Sequence, residues 1–138
     1  IAPVLVEVRR RCAHRVSLFS GVELNVDEAR GLVGVCDFLL GRSPEQLMLR
    51  APVLAVVEAK QENIKGGLGQ CAAEMLAARL FNEASGEHPS SVYGAVTTGD
   101  MWRFLRLDGD ALAIDTEQYT LARAEQVLGI LMAIVTPA

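Results

Sequence analysis

The chain has 138 residues, 51% of them apolar and 22% charged, with a formal net charge of −4. That length suits one domain with a real core; the apolar fraction excludes intrinsic disorder, and three cysteines are too few for a disulfide scaffold. The longest nearly unbroken apolar stretch, Val127 to Val135, is about half of what spans a bilayer, and the mild acidity argues against coating nucleic acid by bulk charge, though not against a small, locally positive cleft.

A single domain over residues 1–138 is expected. The chain opens on Ile1 rather than Met and has no visible signal peptide, so residues before it are expected to be missing. Residues 3–14 read as a helix, with Pro3 in its first turn, Val4, Leu5 and Val8 on an apolar face, and Arg9, Arg10, Arg11 and Arg15 crowding its end, where cations favour the dipole. In residues 16–26, Val22, Leu24 and Val26 alternate as on a half-buried strand. Turn residues at 27–31 lead to a second strand, Leu32 to Leu40, and a proline-containing loop leads to a third, Val53 to Val57, closed by Glu58-Ala59-Lys60.

Gly66, Gly67 and Gly69 then suggest a flexible turn with backbone phosphate contacts, ahead of an alanine-rich helix from Gln70 to about Ser85 that stops at Gly86. This glycine loop fits neither a P-loop nor a dinucleotide fingerprint. Val92 to Thr98 and Met101 to Leu107 read as strands around a Gly99-Asp100 hairpin turn. A further turn at residues 108–110 precedes a short strand, Ala111 to Asp115. A last helix, about Leu121 to Val135, carries Leu121, Ala124, Leu128, Leu131 and Val135 at helical spacing. This order predicts an α/β sandwich with a mixed sheet. Trp102 alternates with Phe104 and reads as a packed sheet residue rather than a base-stacking platform. The apolar end of the last helix suggests a homodimer contact.

Cys12, Cys36 and Cys71 are widely spaced among apolar neighbours and read as buried free thiols of a reducing cytoplasm. No CxxC or Cys/His pair offers a zinc site, and His14 and His88 stand in unrelated contexts that do not suggest a His-based centre.

Two places break the rule that a buried strand is apolar. Asp37 sits inside Val33-Gly-Val-Cys-Asp-Phe-Leu-Leu40, and Glu58 and Lys60 close the third strand. An unpaired buried charge costs several kcal/mol, so these residues need a partner, a metal or water. Glu58 and Lys60, two apart, project to one face, and a hairpin of the second and third strands would bring Asp37 to them. Two carboxylates and an ammonium at one sheet edge suit a divalent metal and an activated water: Mg²⁺ prefers one or two carboxylates with retained waters and phosphate oxygens, and lysine can stabilise charge developing on a phosphate. The chain has 11 Arg but only two Lys, Lys60 and Lys65, both flanking this place. A surface ion pair would account for Glu58 and Lys60 alone, but not for Asp37.

With these residues in view, the sequence resembles the PD-(D/E)XK nuclease superfamily, the restriction-endonuclease-like fold, from the first helix through the hairpin at residues 92–107. That family has a helix, three antiparallel strands, a helix and a further strand. Its Asp matches Asp37 and its Glu-x-Lys matches Glu58-Ala59-Lys60. The Gln that members often carry on the next helix matches Gln70 in Gly-Leu-Gly-Gln-Cys-Ala-Ala-Glu. Segments such as Ala-Val-Val-Glu-Ala-Lys-Gln-Glu-Asn-Ile and Tyr-Gly-Ala-Val-Thr-Thr-Gly also look like small microbial members. The resemblance implies Mg²⁺, with Mn²⁺ as a substitute, bound by Asp37, Glu58 and the Ala59 carbonyl. It places Lys60 near the attacking water and makes nucleic acid, DNA first, the substrate. The chain departs from the pattern in having Cys36 before the Asp and Glu74 where some nucleases have Tyr; an acid on the first helix would be Glu7. The Arg9–Arg15 cluster is either a phosphate contact or a solvated helix end. Two alternatives stand beside the nuclease reading: a binding or interaction module that keeps the fold without turnover, and a structural homodimer. No membrane partner is expected.

Overall fold

The computed structural model describes residues 1–12, 15–27, 32–43, 46, 49 and 51–136, and the side chains of 25–27 and 32–34 are not described. His14 and most of the expected turn at 27–31 lie outside the described residues. Helix α1, Ala2–Arg11, starts with proline in its first turn, buries Leu5 and Val8, and carries Arg9, Arg10 and Arg11 in its last turn. It ends earlier than expected, at Cys12, whose N–H bonds the Val8 carbonyl.

Strands β1, Ser17–Asp27, β2, Leu32–Gly41, and β3, Val53–Ala59, follow and pair antiparallel in that order. Helix α2, Ile64–Ala84, crosses over to β4, Val92–Thr97, which lies parallel to β3. The parallel pairing requires this crossover, because a hairpin can join only antiparallel strands. Strands β5, Met101–Asp108, and β6, Ala111–Ile114, extend the sheet antiparallel, and β7, Tyr119–Thr120, pairs with β5. A 3₁₀ turn, Leu121–Arg123, leads into α3, Ala124–Val135. The protein is thus an α/β protein whose mixed seven-strand open sheet runs β1-β2-β3-β4-β5-β6 and packs against helices.

Two apolar cores lie between sheet and helices. One joins Leu5 and Val8 of α1 and Val127, Leu131 and Val135 of α3 to Ala55, Val57 and Trp102. The other joins Cys71, Met75 and Ala78 of α2 to Val56, Val96 and Leu105. From Ala55 to Val57 successive residues of the central β3 therefore serve opposite layers, and Val53 to Val57 are all buried. This accounts for its uninterrupted apolar sequence. Trp102 is fully buried, stacked 6.2 Å from Phe104. The apolar end of α3 is turned mostly into the chain's own core, and Gln126, Gly129 and Ala133 are left facing out. No described helix is long and apolar enough to cross a membrane.

The expected glycine turn is part of α2. Asn63 caps the helix by accepting from the Gly66 N–H at 3.3 Å, and Ile64, Gly67, Cys71, Met75, Ala78 and Asn82 are buried at helical spacing. The cap and this buried stripe override the poor propensity of three glycines. Gln70 consequently stands in the second turn, not at the helix start. Gly86, with φ at +78°, closes the helix as expected, its N–H bonding the Glu83 carbonyl.

Candidate active site

The antiparallel pairing of β2 with β3 runs from Gly41–Val53 to Phe38–Val57. Beyond it the next link is a side chain: Asp37 Oδ2 accepts the Ala59 N–H at 2.8 Å. Asp37 also lies where strand alternation fails. Leu39 and Cys36, three apart, both pack in the α2-side core. The pairs Ser20–Phe38 and Val22–Cys36 flank Gly21, whose φ is +63°, a conformation that suits glycine. This local twist places a half-buried carboxylate within an otherwise apolar strand.

Glu58, only 3% exposed, ends the buried run of β3. Lys60 follows the strand, and its own N–H bonds the Thr97 carbonyl of β4 at 2.8 Å, which fixes its backbone to the sheet. Its Nζ donates to Gln70 Oε1 of α2 at 3.1 Å. Asp37, Glu58, Ala59, Lys60 and Gln70 are thus gathered where β2, β3 and α2 meet. Glu7 is elsewhere, on α1, where Arg10 Nη2 and Arg11 Nε reach its Oε2 at 2.6 and 2.9 Å. These two guanidiniums hold its carboxyl down to about 2.

Two further residues belong to this place. Glu74 is 5% exposed, one turn beyond Gln70. Burial pushes it up to about 8, reinforced by hydrogen bonding to the Glu58 carboxyl and by that group's charge. Burial raises Glu58 too, with the Asp37 charge adding to it. Two neighbouring buried carboxylates cannot both ionise easily, so the pair tends to hold one proton between them. Each also has one buried oxygen, Oε2, without a hydrogen-bond partner. Glu74 was legible as an acid inside the buried stripe of an apolar helix, three residues after Cys71. Gly67 is the other: a Cβ there would meet Val96 Cγ1 at 2.8 Å and Lys60 Cγ at 3.0 Å. No local signal marks it, because its need comes only from Lys60 and Val96.

The surrounding carboxylates also act on the thiols. Cys36 is pushed up to about 12 by burial and by the charges of Glu74, Glu58 and Asp37, and Cys71 is raised by burial as well. Both are buried free thiols, as expected, whereas Cys12 is a free thiol that is only half-buried, at the end of α1.

Among the described residues, no three His, Cys, Asp or Glu side chains form a metal-binding group. The oxygens expected to take an ion are the smaller set of Asp37, Glu58 and the Ala59 carbonyl. No protein-family profile, no curated protein and no solved structure matches the chain.

Proposed function

We propose that the protein is a Mg²⁺-dependent phosphodiesterase acting on nucleic acid, DNA first, with a restriction-endonuclease-like catalytic core. The observation that carries this reading is the Asp37–Ala59 hydrogen bond at 2.8 Å. It brings an aspartate of β2 to the Glu58-Ala59-Lys60 end of β3, beside Gln70. The order α1, β1, β2, β3, α2, β4, with β4 parallel to β3, is supporting, since it is the order of that core.

The donor set fits a hard cation. Asp37 and Glu58 supply carboxylate oxygens, Ala59 a carbonyl, and the buried Glu58 Oε2 has no partner of its own. Mg²⁺ commonly takes so few protein ligands because water and substrate phosphate oxygens complete its shell. When bound, the ion would lower the pKa of a water and offset phosphate charge. The remaining work falls to the chain. Asp37, held by the Ala59 amide, presents its carboxylate in a fixed direction. Lys60, steadied by Gln70 and by its backbone bond to Thr97, holds its ammonium where it would face the scissile phosphate and stabilise charge developing there. Glu74 holds Glu58 in place from α2.

The test is incubation of the purified protein with duplex, single-stranded and branched DNA and with RNA, in Mg²⁺ or Mn²⁺. Metal-dependent cleavage lost in Lys60→Ala is the expected result. No cleavage of any substrate, or undiminished cleavage by Lys60→Ala, overturns the reading. A second reading, a binding module without turnover, draws on the Glu58–Glu74 contact, which engages a would-be ligand. Calorimetry with Mg²⁺ separates the two: the nuclease binds metal in a way that Asp37→Ala abolishes.

A further inference from the structure

A second concentration of charge lies at the other end of the strands. Gly41, the last residue of β2, pairs with Ser17 at the start of β1 and with Val53 at the start of β3, so Arg15 and Arg42 flank the strand ends remote from Glu58. With Arg11, from the last turn of α1, they line a groove of about 410 Å³. Its floor is apolar, made by Val16, Met132 and Val135, and Cys12 Sγ lies there 4.0 Å from Met132 Sδ. Among the described residues no carboxylate lines the groove, although the chain as a whole carries −4.

Three arginines, two from the end of α1 and the turn after it and one from just beyond β2, line one groove and need a reason to do so. The C-terminal dipole of α1 accounts for Arg11, and for part of Arg15, whose Nε donates to the Cys12 carbonyl at 3.4 Å. It does not account for Arg42, whose side chain makes no hydrogen bond or ion pair among the described residues. Glu7 offsets only one positive charge, and it is shared between Arg10 and Arg11. Like charges gathered around a concave, partly apolar wall repel one another and attract an anion.

We propose that this groove binds an organic phosphate, with its phosphate on Arg11, Arg15 and Arg42 and its organic body on the Val16, Met132 and Val135 floor. Guanidinium forks match the several oxygens of a phosphate in bidentate fashion. The groove volume falls within the roughly 300–1,000 Å³ of small-molecule sites, whereas inorganic phosphate would leave the floor to water. The chemistry is shared by a mononucleotide and by a lipid phosphate. The site is independent of the nuclease reading, and either can fail without the other.

Binding is measured by calorimetry with adenosine monophosphate, with dihexanoyl phosphatidic acid below its micellar concentration, and with inorganic phosphate. Cys12 provides a second readout, because it lines the groove while Cys36 and Cys71 are buried. Its alkylation by iodoacetamide slows when the groove is filled. The expected result is saturable binding of one organic phosphate, which identifies the source, with inorganic phosphate binding at least about tenfold more weakly. Arg15→Gln and Arg42→Gln, both at exposed positions, each weaken binding about tenfold, as loss of a charged hydrogen-bonding group does, with unchanged circular-dichroism melts. Four outcomes overturn the proposal: no binding of either organic phosphate, equal affinity for inorganic phosphate, binding retained by the Arg15→Gln/Arg42→Gln double variant, or unprotected Cys12 at saturation.

Discussion

Gly67 leaves the space that the Lys60 side chain occupies. A methyl group at Gly67 would stand 3.0 Å from Lys60 Cγ, 3.1 Å from Cε and 2.8 Å from Val96 Cγ1. The lysine stem could bend away, but Val96 is fully buried in the α2-side core. The approach of the first turns of α2 to Lys60 and Val96 therefore depends on the missing side chain at Gly67.

Gly67→Ala consequently forces α2 outward. Overpacking costs about 1–3 kcal/mol, from which about 1 kcal/mol of gained helix propensity is subtracted. Gly69, with nothing within 4 Å of its would-be Cβ, is the control: Gly69→Ala should stabilise by up to about 1 kcal/mol. Urea unfolding of the two variants should move in opposite directions, and only Gly67→Ala should also depress cleavage.

Asp37→Asn keeps an oxygen that can accept the Ala59 N–H but removes the charge. Its melting temperature should stay near that of the wild type while Mg²⁺-dependent cleavage falls roughly 100- to 1,000-fold, the scale for loss of one electrostatic group at a reacting centre. Loss of fold together with activity would mean that Asp37 is a structural link only.

Glu74 gives stability a pH dependence of defined sign. Its carboxyl is raised from 4.5 to about 8 in the folded protein, so between these values the folded state holds more proton than the unfolded chain. Stability should therefore fall as pH climbs from about 4.5 through about 8. Urea midpoints between about pH 5 and about pH 8.5 should show this decline, and Glu74→Gln should flatten it. A rise in stability over that interval would contradict the placement of Glu74 against Glu58.

Asn82 is 1% exposed, and it brackets Val53: its Oδ1 accepts the Val53 N–H at 2.7 Å, and its Nδ2 donates to the Val53 carbonyl at 3.0 Å. It thereby completes the backbone pairing at the start of β3. Asn82→Ala strands both groups, at roughly 1–3 kcal/mol each, and Asn82→Asp, which buries a carboxylate against the Val53 carbonyl, should lose at least as much. Thermal melts of the two variants give the ranking.

The sequence displayed the parts of the site that violate local rules. An aspartate among Val, Cys, Phe and Leu and a glutamate closing an all-apolar run are visible because burial penalises them. Alternation marked β1, and apolar runs marked the strands that carry them. Gly67 was not legible, because glycine reads locally as a helix breaker and its necessity comes only from the neighbouring Lys60 and Val96. The start of α2 was hidden for the same reason, its signal being the Asn63 cap rather than the composition of the first turn. Asn82 resembles any polar helix residue until β3 is laid beside it. The kink at Gly21 and Asp37 is a pairing effect, since neither strand alone specifies where its alternation will fail.

The parallel pairing of β3 with β4 has a consequence for the order in which the molecule becomes competent. Lys60 is tied to Thr97, Asp37 to Ala59 and Gln70 to Lys60, and the β3–β4 contact closes only after the whole of α2 has been threaded between them. Such distant pairings form late, because chain closure must precede the contacts that reward it. A nascent or partly denatured chain would hold these side chains apart, so the proposed catalysis would switch on only once β4 has joined β3. Recovery of cleavage during refolding would then report completion of the sheet rather than initial collapse.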